Sequence, residues 1–153
     1  MLPSRASLFM SFEEYRPLLF GVAYRMTGSA MEAEDIVQEG WLRYQAVPPE
    51  TIRHAKAYLV QVVTRLALDH MKAARTQRET YTGTWLPEPI LTTEHETDET
   101  LSLAFLTLLE RLTPMERAVF LLREVFDYDY ADIVPIVERN ESSCRQLFRR
   151  AKN

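Results

Sequence analysis

The sequence predicts an all-α protein made of two small helical domains joined by a flexible linker. Three observations carry that expectation. Ser/Thr-x-x-Glu helix starts recur along the chain, and apolar residues repeat with a helical period after each of them. The turn chemistry of β-hairpins is missing as well. All four glycines lie at or before Gly83, and no Asn-Gly or Asp-Gly pair separates alternating runs. With 153 residues, 46% of them hydrophobic and 26% charged, the chain has enough apolar material for a core and the length of one or two domains.

The first start is Ser11-Phe12-Glu13-Glu14, after which Tyr15, Leu18, Leu19, Val22 and Met26 line one face. Ser29-Ala30-Met31-Glu32 opens the second helix, with Ile36, Val37, Trp41 and Tyr44 turned inward. A long third helix, from about Ile52 to Glu79, buries Leu59, Val62, Val63, Leu66 and Met71. The pattern then breaks. Tyr81 to Thr97 carries Gly83, Pro87, Pro89 and several threonines, and reads as a linker. Leu101, Phe105, Leu108 and Leu112 resume a helix. Thr113-Pro114-Met115-Glu116 opens the next, with proline at the first helical position, where its missing N–H costs nothing. Ala118, Leu121, Leu122 and Val125 form its inner stripe. Three or four helices therefore precede the linker and four short ones follow it.

The C-terminal end has the layout of a helix-turn-helix. Asp129 or Tyr130 starts a short helix bearing Ile133 and Val137, Glu138-Arg139 makes a tight turn, and Asn140 is a good N-cap for a final helix. On that helix Cys144, Leu147, Phe148 and Ala151 have the spacing of a core face, while Ser142, Arg145, Gln146 and Arg149 repeat it on another. Short polar residues at a helix N-terminus followed by Arg and Gln suit the reading of base edges or phosphates in a major groove. A solvated amphipathic helix, its basic residues matched to the C-terminal dipole, would show the same pattern, and the segment by itself leaves both open. Pro135 removes a hydrogen bond from the first helix and Glu138 stands where a glycine would be easier, so that helix is expected to be kinked or shortened.

The N-terminal half offers two polar surfaces. Glu34-Asp35-Ile36-Val37-Gln38-Glu39 combines a buried apolar pair with four polar side chains, which either dock on a basic partner helix or are simply solvated. On the long helix Arg65, Lys72 and Arg75 fall on roughly one side, with Gln61 nearby. Together with Arg53, His54 and Tyr58 they supply cations plus an aromatic, the combination that holds a single-stranded backbone and stacks its bases. A solvated face is the plainer alternative here too.

Net charge is −4, which argues against nucleic-acid binding, but the charges are segregated. Arg53 to Glu79 holds six Lys or Arg against two acids, Arg139 to Asn153 five against one, and Glu88 to Glu99 five acids with no Lys or Arg. Local patches, and not the sum, set the attraction for phosphate. No apolar run approaches the roughly 18 residues of a membrane span. MLPSRASLFM lacks the apolar stretch and cleavage site of a signal peptide, so a cytoplasmic protein with no membrane partner is expected. The single cysteine, Cys144, excludes an internal disulfide and fits a reducing compartment. His54, His70 and His95 lack metal-ligand spacing, and there is neither a glycine-rich phosphate loop nor a nucleophile motif around Cys144. No enzyme, metal or cofactor is expected.

These residues also resemble a known family. The Glu34–Glu39 run resembles the signature of the sigma-two domain of sigma-70-type factors. Ala57-Tyr58-Leu59 through Leu66-Ala67-Leu68-Asp69-His70 is similar to the melting and minus-ten-recognition helix that follows it. Leu112 to Phe120, with Tyr130-Ala131-Asp132-Ile133, resembles the opening of the sigma-four domain. The likeness covers nearly the whole chain in order. The family's middle domain has no counterpart, which marks the extracytoplasmic-function (ECF) class. Trp85-Leu86-Pro87-Glu88-Pro89 resembles the WLPEP linker motif of a subgroup that usually carries a C-terminal SnoaL-like domain. The sequence stops as the recognition helix ends, which the resemblance reads either as a truncated form, the favoured alternative, or as a natural short member.

What the resemblance implies is a sigma factor that directs promoter recognition and transcription initiation. The sigma-two bundle would occupy 1–80, an acidic linker with the WLPEP motif 81–98, and the sigma-four helix-turn-helix 99–153. Asp35, Gln38, Glu39, Trp41 and Leu42 would face the coiled coil of the largest polymerase subunit. Arg53, His54, Tyr58, Arg65, Asp69 and Lys72 would handle the minus-ten element. Ser142, Ser143, Arg145, Gln146 and Arg149 would read the minus-thirty-five duplex. Phe120 and Leu121 would either grip the polymerase flap or pack in the core. The implied partners are core RNA polymerase, promoter DNA, and a regulator that is either a C-terminal domain in cis or an anti-sigma factor. Free of polymerase, the two domains would either vary in orientation or close with the sigma-four helix masked against sigma-two. Two rivals stand beside this expectation. A polymerase-independent helix-turn-helix repressor would leave the N-terminal module without a role, and a pure interaction protein would have lost DNA contact through Pro135 and Glu138.

Overall fold

The structure is a computed structural model that describes residues 5–78 and 103–153. The WLPEP motif and the acidic stretch from Glu88 to Glu99 lie outside the described residues, as does Leu101. Every regular element among the described residues is helical. The N-terminal half holds α1 (Arg5–Thr27), α2 (Ala30–Ala46), a single 3₁₀ turn (Pro49–Thr51) and α3 (Ala55–Arg78). The C-terminal half holds α4 (Leu103–Glu110), α5 (Pro114–Phe120) prolonged by a π-helical turn (Leu121–Val125), α6 (Tyr130–Val137) and α7 (Glu141–Lys152).

Local chemistry explains most boundaries. Thr113 makes a complete capping box: its hydroxyl accepts from the Glu116 N–H at 3.2 Å, and the Glu116 carboxylate accepts from the Thr113 N–H at 3.1 Å. Ser29 caps α2 by accepting from the Glu32 N–H at 3.2 Å, but its own N–H goes to the Thr27 hydroxyl, so the box is half made. Asn140 caps α7 through its side-chain oxygen and the Ser143 N–H at 2.8 Å. Gly28 ends α1 at φ 74°, a left-handed conformation that glycine adopts without a Cβ clash, and its N–H donates to the Tyr24 carbonyl. Gly40 lies where α2 meets α3; a Cβ there would stand 3.3 Å from a Val63 methyl.

Three sequence expectations need correction. Ser11 does not start α1. The helix begins upstream at Arg5, because residues 5–10 contain no breaker, and the Ser11 hydroxyl bonds the Tyr44 side chain instead. The long helix starts at Ala55 and not at Ile52, because the consecutive prolines Pro48 and Pro49 favour a 3₁₀ turn, with the Thr51 hydroxyl donating to the Pro48 carbonyl at 2.7 Å. In α4 the buried residues are Leu106 and Leu109, while Leu108 is 58% exposed. That segment, LAFLTLLE, is apolar nearly all round, so periodicity has no polar face on which to fix its phase.

Most of the predicted core forms, with Val62 and Met71 only half-buried at its edge. Leu19, Val22, Met26, Ile36, Val37, Tyr44, Leu59, Val63, Leu66, Ala118, Leu121, Leu122, Ile133, Val137 and Cys144 are buried. Leu121 is fully inside and Phe120 stacks on Phe148 at 6.2 Å between centroids, so both belong to the core. Helix α6 is short, at eight residues, and continuous through Pro135, and Glu138 ends it in the left-handed region at φ 57°.

The two halves close on each other. Helix α1 packs on α2 and α3, and α7 on α5 and α6, while α3 also packs on α5 and α6, and α1 on α4 and α5. Buried apolar side chains from both halves join in one cluster. Three arginines span the junction. Arg117, 4% exposed, donates to the Leu109 carbonyl at 2.8 Å and to the Met26 carbonyl near the end of α1. Arg25 lies over the Phe126 ring at 5.5 Å. Arg65 reaches the end of α6. Of the two arrangements expected, the compact one is found, with a difference: α3 meets α6 and α5, and the polar face of α7 stays exposed.

Candidate nucleic-acid and polymerase interface

Three polar surfaces stand out, each set by the inward stripe on its opposite side. On α2, burial of Ala33, Ile36, Val37, Gly40 and Tyr44 turns Glu34, Asp35, Gln38, Glu39 and Leu42 to solvent. Leu42 is 50% exposed, an apolar residue within an acidic and amide field. Trp41 belongs to this predicted set but sits differently. It is half-buried, with its ring 5.0 Å from Phe12 and 6.2 Å from Tyr44, so most of it is spent on packing α2 against α1.

The second surface runs from the loop before α3 along that helix. Arg53 and His54 are exposed in the loop. Tyr58 is half-buried, 6.2 Å from the Tyr44 ring. Tyr58, Arg65, Asp69 and Lys72 follow one helical stripe, with Asp69 and Lys72 exposed. The side chain of Arg75 lies outside the described residues. Arg65 departs from the predicted picture, because its guanidinium is already occupied. Nε donates to the Ile136 carbonyl at 3.1 Å, Nη2 to the Pro135 carbonyl at 2.6 Å, and Nη2 pairs with Glu138 at 2.9 Å.

The third surface is α7. Ser142, Arg145, Gln146 and Arg149 are exposed on one side and Cys144 is buried on the other. Ser143 is half-buried and its backbone N–H is committed to the Asn140 cap. Arg145 pairs loosely with Glu141 at 3.6 Å, an exposed contact. Arg149, Arg150 and Lys152 place positive charge in the last turn, where it complements the helix dipole.

Sequence reasoning missed two residues here. The Tyr130 ring lies 4.6 Å below the Arg145 guanidinium and 4.7 Å from that of Arg123. One aromatic at the start of α6 thus sets the direction of a cation on α7 and draws a second beside it. No spacing rule links positions 123, 130 and 145, because they converge only when α6 and α7 fold back on the π-helical turn.

Burial pushes the Cys144 thiol above its ordinary range, with Arg139 opposing more weakly, so it is a poor nucleophile. Burial also raises the Tyr44 and Tyr128 phenols. No group of His, Cys, Asp and Glu among the described residues is placed to hold a metal, and no described helix is long and apolar enough to cross a membrane.

Comparison with known proteins assigns both halves. Residues 11–77 match sigma-70 region 2, and residues 102–153 match sigma-70 region 4. The ECF RNA polymerase sigma factor SigJ of Mycobacterium tuberculosis is 43% identical over 149 residues, covering 92% of this chain and 47% of the relative. The probable ECF RNA polymerase sigma factor SigI of the same species is 36% identical over 150 residues, covering 93% of this chain and 52% of the relative. The chain therefore spans about half the length of these relatives. The crystal structure of SigJ superposes with a TM-score of 0.73 at 39% identity, over 94% of this chain and 51% of that one. The sigma factor RpoE of Bartonella quintana, crystallised with the anti-sigma factor NepR, also gives a TM-score of 0.73, over 94% of this chain and 91% of that one. At 17% identity this last likeness concerns the fold alone.

Proposed function

We propose that this chain, which belongs to the ECF class of the sigma-70 family by its region 2 and region 4, directs RNA polymerase to promoters and supports transcription initiation. The observation that carries this is the pairing, on one chain, of an exposed acidic and amide face on α2 with an exposed Arg/Gln face on α7. A repressor needs the second and has no use for the first.

In this reading Asp35, Gln38, Glu39 and Leu42 bind the coiled coil of the largest polymerase subunit. The carboxylates select a basic partner helix, and Leu42 supplies apolar area at the centre of the contact. Trp41 supports that face from beneath. Ser142, Arg145, Gln146 and Arg149 enter the major groove of the minus-thirty-five element, with Arg or Gln reading base edges and the rest holding phosphates. Arg53, His54, Tyr58, Arg65, Asp69 and Lys72 take the opened minus-ten strand, where cations hold the backbone and Tyr58 offers a surface on which a base can stack. The protein works by binding, without catalysis or cofactor, in the cell interior. Core polymerase would fix the spacing of two weak DNA sites and convert them into one strong one. A regulator, either an anti-sigma factor or a further domain in cis, would act by covering one of these faces.

Run-off transcription with purified core polymerase, from promoters upstream of the chain's own operon, tests this. Transcripts should require the chain, and should be lost on joint substitution of Asp35 and Gln38, or of Arg145 and Arg149. Tight promoter binding by the chain alone, with no stimulation of polymerase, would replace this proposal with the repressor.

A further inference from the structure

Two oddities of the sequence remain after a function has been assigned: a proline within α6 and a glutamate at a position that suits glycine. One side chain from the other half of the molecule meets both, through the backbone carbonyl of the first and the carboxylate of the second. Helix α6 ends at Val137, and its last carbonyls have no partner further along the helix. The Val134 carbonyl is taken by the Glu138 N–H. The next two, of Pro135 and Ile136, receive the guanidinium of Arg65 on α3, at 2.6 and 3.1 Å. Glu138 then turns its carboxylate back onto the same guanidinium, at 2.9 Å. Gln61, one turn before Arg65, presents its amide oxygen to Nη1 at 3.0 Å, and to the already engaged Nη2 at 3.3 Å, once that amide is oriented to suit them.

We propose that this is a latch: Arg65 acts as the C-terminal cap of α6, clamps the turn of the helix-turn-helix onto α3, and is thereby withheld from nucleic acid in the free chain. The chemistry fits a device made to open. A side chain at φ 57° is strained, and glycine would relieve that strain, but only a longer residue reaches Arg65. The Arg65 and Glu138 side chains are 40% and 68% exposed, so salt or a competing phosphate reaches the pair easily. A single-stranded phosphodiester offers Arg65 a charged acceptor in place of two neutral carbonyls and one exposed, solvent-screened carboxylate, and so competes with the latch. Meanwhile α7 keeps its polar face exposed and its own cap on Asn140, so the closed chain can still present the recognition helix while the α3 face is partly occupied. The withholding of Arg65 from DNA rests on the minus-ten role proposed above; the latch itself does not.

Glu138→Gly in the full chain is the discriminating variant, because it removes the latch carboxylate and relieves the left-handed position at once. Hydrogen exchange should show the amides at the end of α6 and in the turn through Glu138, Arg139 and Asn140 exchanging several-fold faster than in the parent at low salt, with circular dichroism unchanged. The parent should reach the same rates in that turn only at high salt. Arg65→Glu should free the turn as well, and Arg65→Glu combined with Glu138→Arg should return it toward the parent's rates. A Glu138→Gly chain with the parent's exchange rates in that turn at every salt concentration would overturn the latch. Binding of a fluorescein-labelled single strand from the non-template side of the chain's own promoter provides the second arm. Several-fold tighter binding by Glu138→Gly supports the whole proposal. Faster exchange without tighter binding keeps the latch and counts against the minus-ten role of Arg65.

Discussion

Helices α3 and α7 look alike in sequence. Each is amphipathic, carries its cations on one side, and belongs to a basic segment of an acidic protein. In the folded chain they are treated in opposite ways. On α7 the cations point outward, with Arg145, Arg149 and Arg150 all exposed. On α3 the central cation, Arg65, is turned toward the other half and bonded there to two carbonyls and a carboxylate. The difference teaches that a basic face marks where positive charge can be used, while tertiary contacts decide whether it is free. Arginine lends itself to either use, since its fork of donors satisfies two carbonyls as readily as a phosphate.

The largest effect that sharpens this contrast lies with the most inward arginine. Arg117→Met removes the donor to the Leu109 and Met26 carbonyls in a site only 4% exposed. Leaving buried carbonyls unpaired costs about 1–3 kcal/mol each, so a loss of about 3 kcal/mol is expected. For a chain of this size that is a fall in Tm of roughly 10 °C by differential scanning calorimetry. A fall within a degree or two would mean that the junction between the halves contributes little to the fold.

The outward arginine should behave in the reverse manner. Arg145→Ala should leave Tm almost unchanged, since its contacts with Glu141 and Tyr130 are exposed or half-exposed. It should weaken binding of holoenzyme to the minus-thirty-five duplex by about 1–3 kcal/mol and relax selectivity at one base position. Uniform weakening across all duplex sequences would recast Arg145 as a phosphate contact.

The parts of the fold that were legible in advance are those fixed by local chemistry. Thr113 with Pro114 and Glu116, Asn140 ahead of α7, and the inward stripes of α2 and α7 all depend on residues within one turn of each other. The missed parts depend on distance. Ser11 resembles a cap, but nothing upstream stops α1 from extending past it. Leu106 and Leu109 could not be told from Leu108, because an apolar octapeptide has no polar face. Arg65 reads as a cation on a nucleic-acid face, and nothing local marks Arg25 or Arg117 as bridging residues; only the closing of two halves far apart in sequence gives all three their partners across the junction. The proposed interface divides along the same line. The α7 face is legible residue by residue, whereas the Tyr130 platform and the occupied state of Arg65 exist only in three dimensions.

Tyr130 offers a smaller test, of how an outward cation is aimed. Tyr130→Ala removes the ring beneath Arg145 and beside Arg123, and should weaken minus-thirty-five binding by about 0.5–1 kcal/mol. Tyr130→Phe keeps the ring face and should bind like the parent. Fluorescence anisotropy against salt concentration separates aim from charge: Arg123→Ala should lower the salt slope by about one if that arginine touches a phosphate, whereas Tyr130→Ala should leave the slope alone. Equal loss in the alanine and phenylalanine variants would assign the effect to the phenolic hydroxyl.

The smallest expected effect belongs to the hidden side of α7. Cys144 is fully buried, and burial pushes its thiol above the ordinary range of roughly 8.5. Its neutral form is therefore favoured by folding. Below the unfolded value both states hold the proton, and the contribution to stability is complete. As pH rises past that value the unfolded chain loses its proton first, so stability falls from there until the folded thiol also ionises. Tyr44 and Tyr128, likewise raised by burial, add the same sense of change near and above the phenol range of about 10. Urea unfolding at a series of alkaline pH values should show this decline beginning earlier in the parent than in Cys144→Ala, whose decline should start only where the tyrosines titrate. Identical curves would mean that α7 lifts from its base often enough for water to reach the thiol. Helix α7 would then be held more loosely than α3, which is the opposite of what its Asn140 cap and inward stripe lead one to expect.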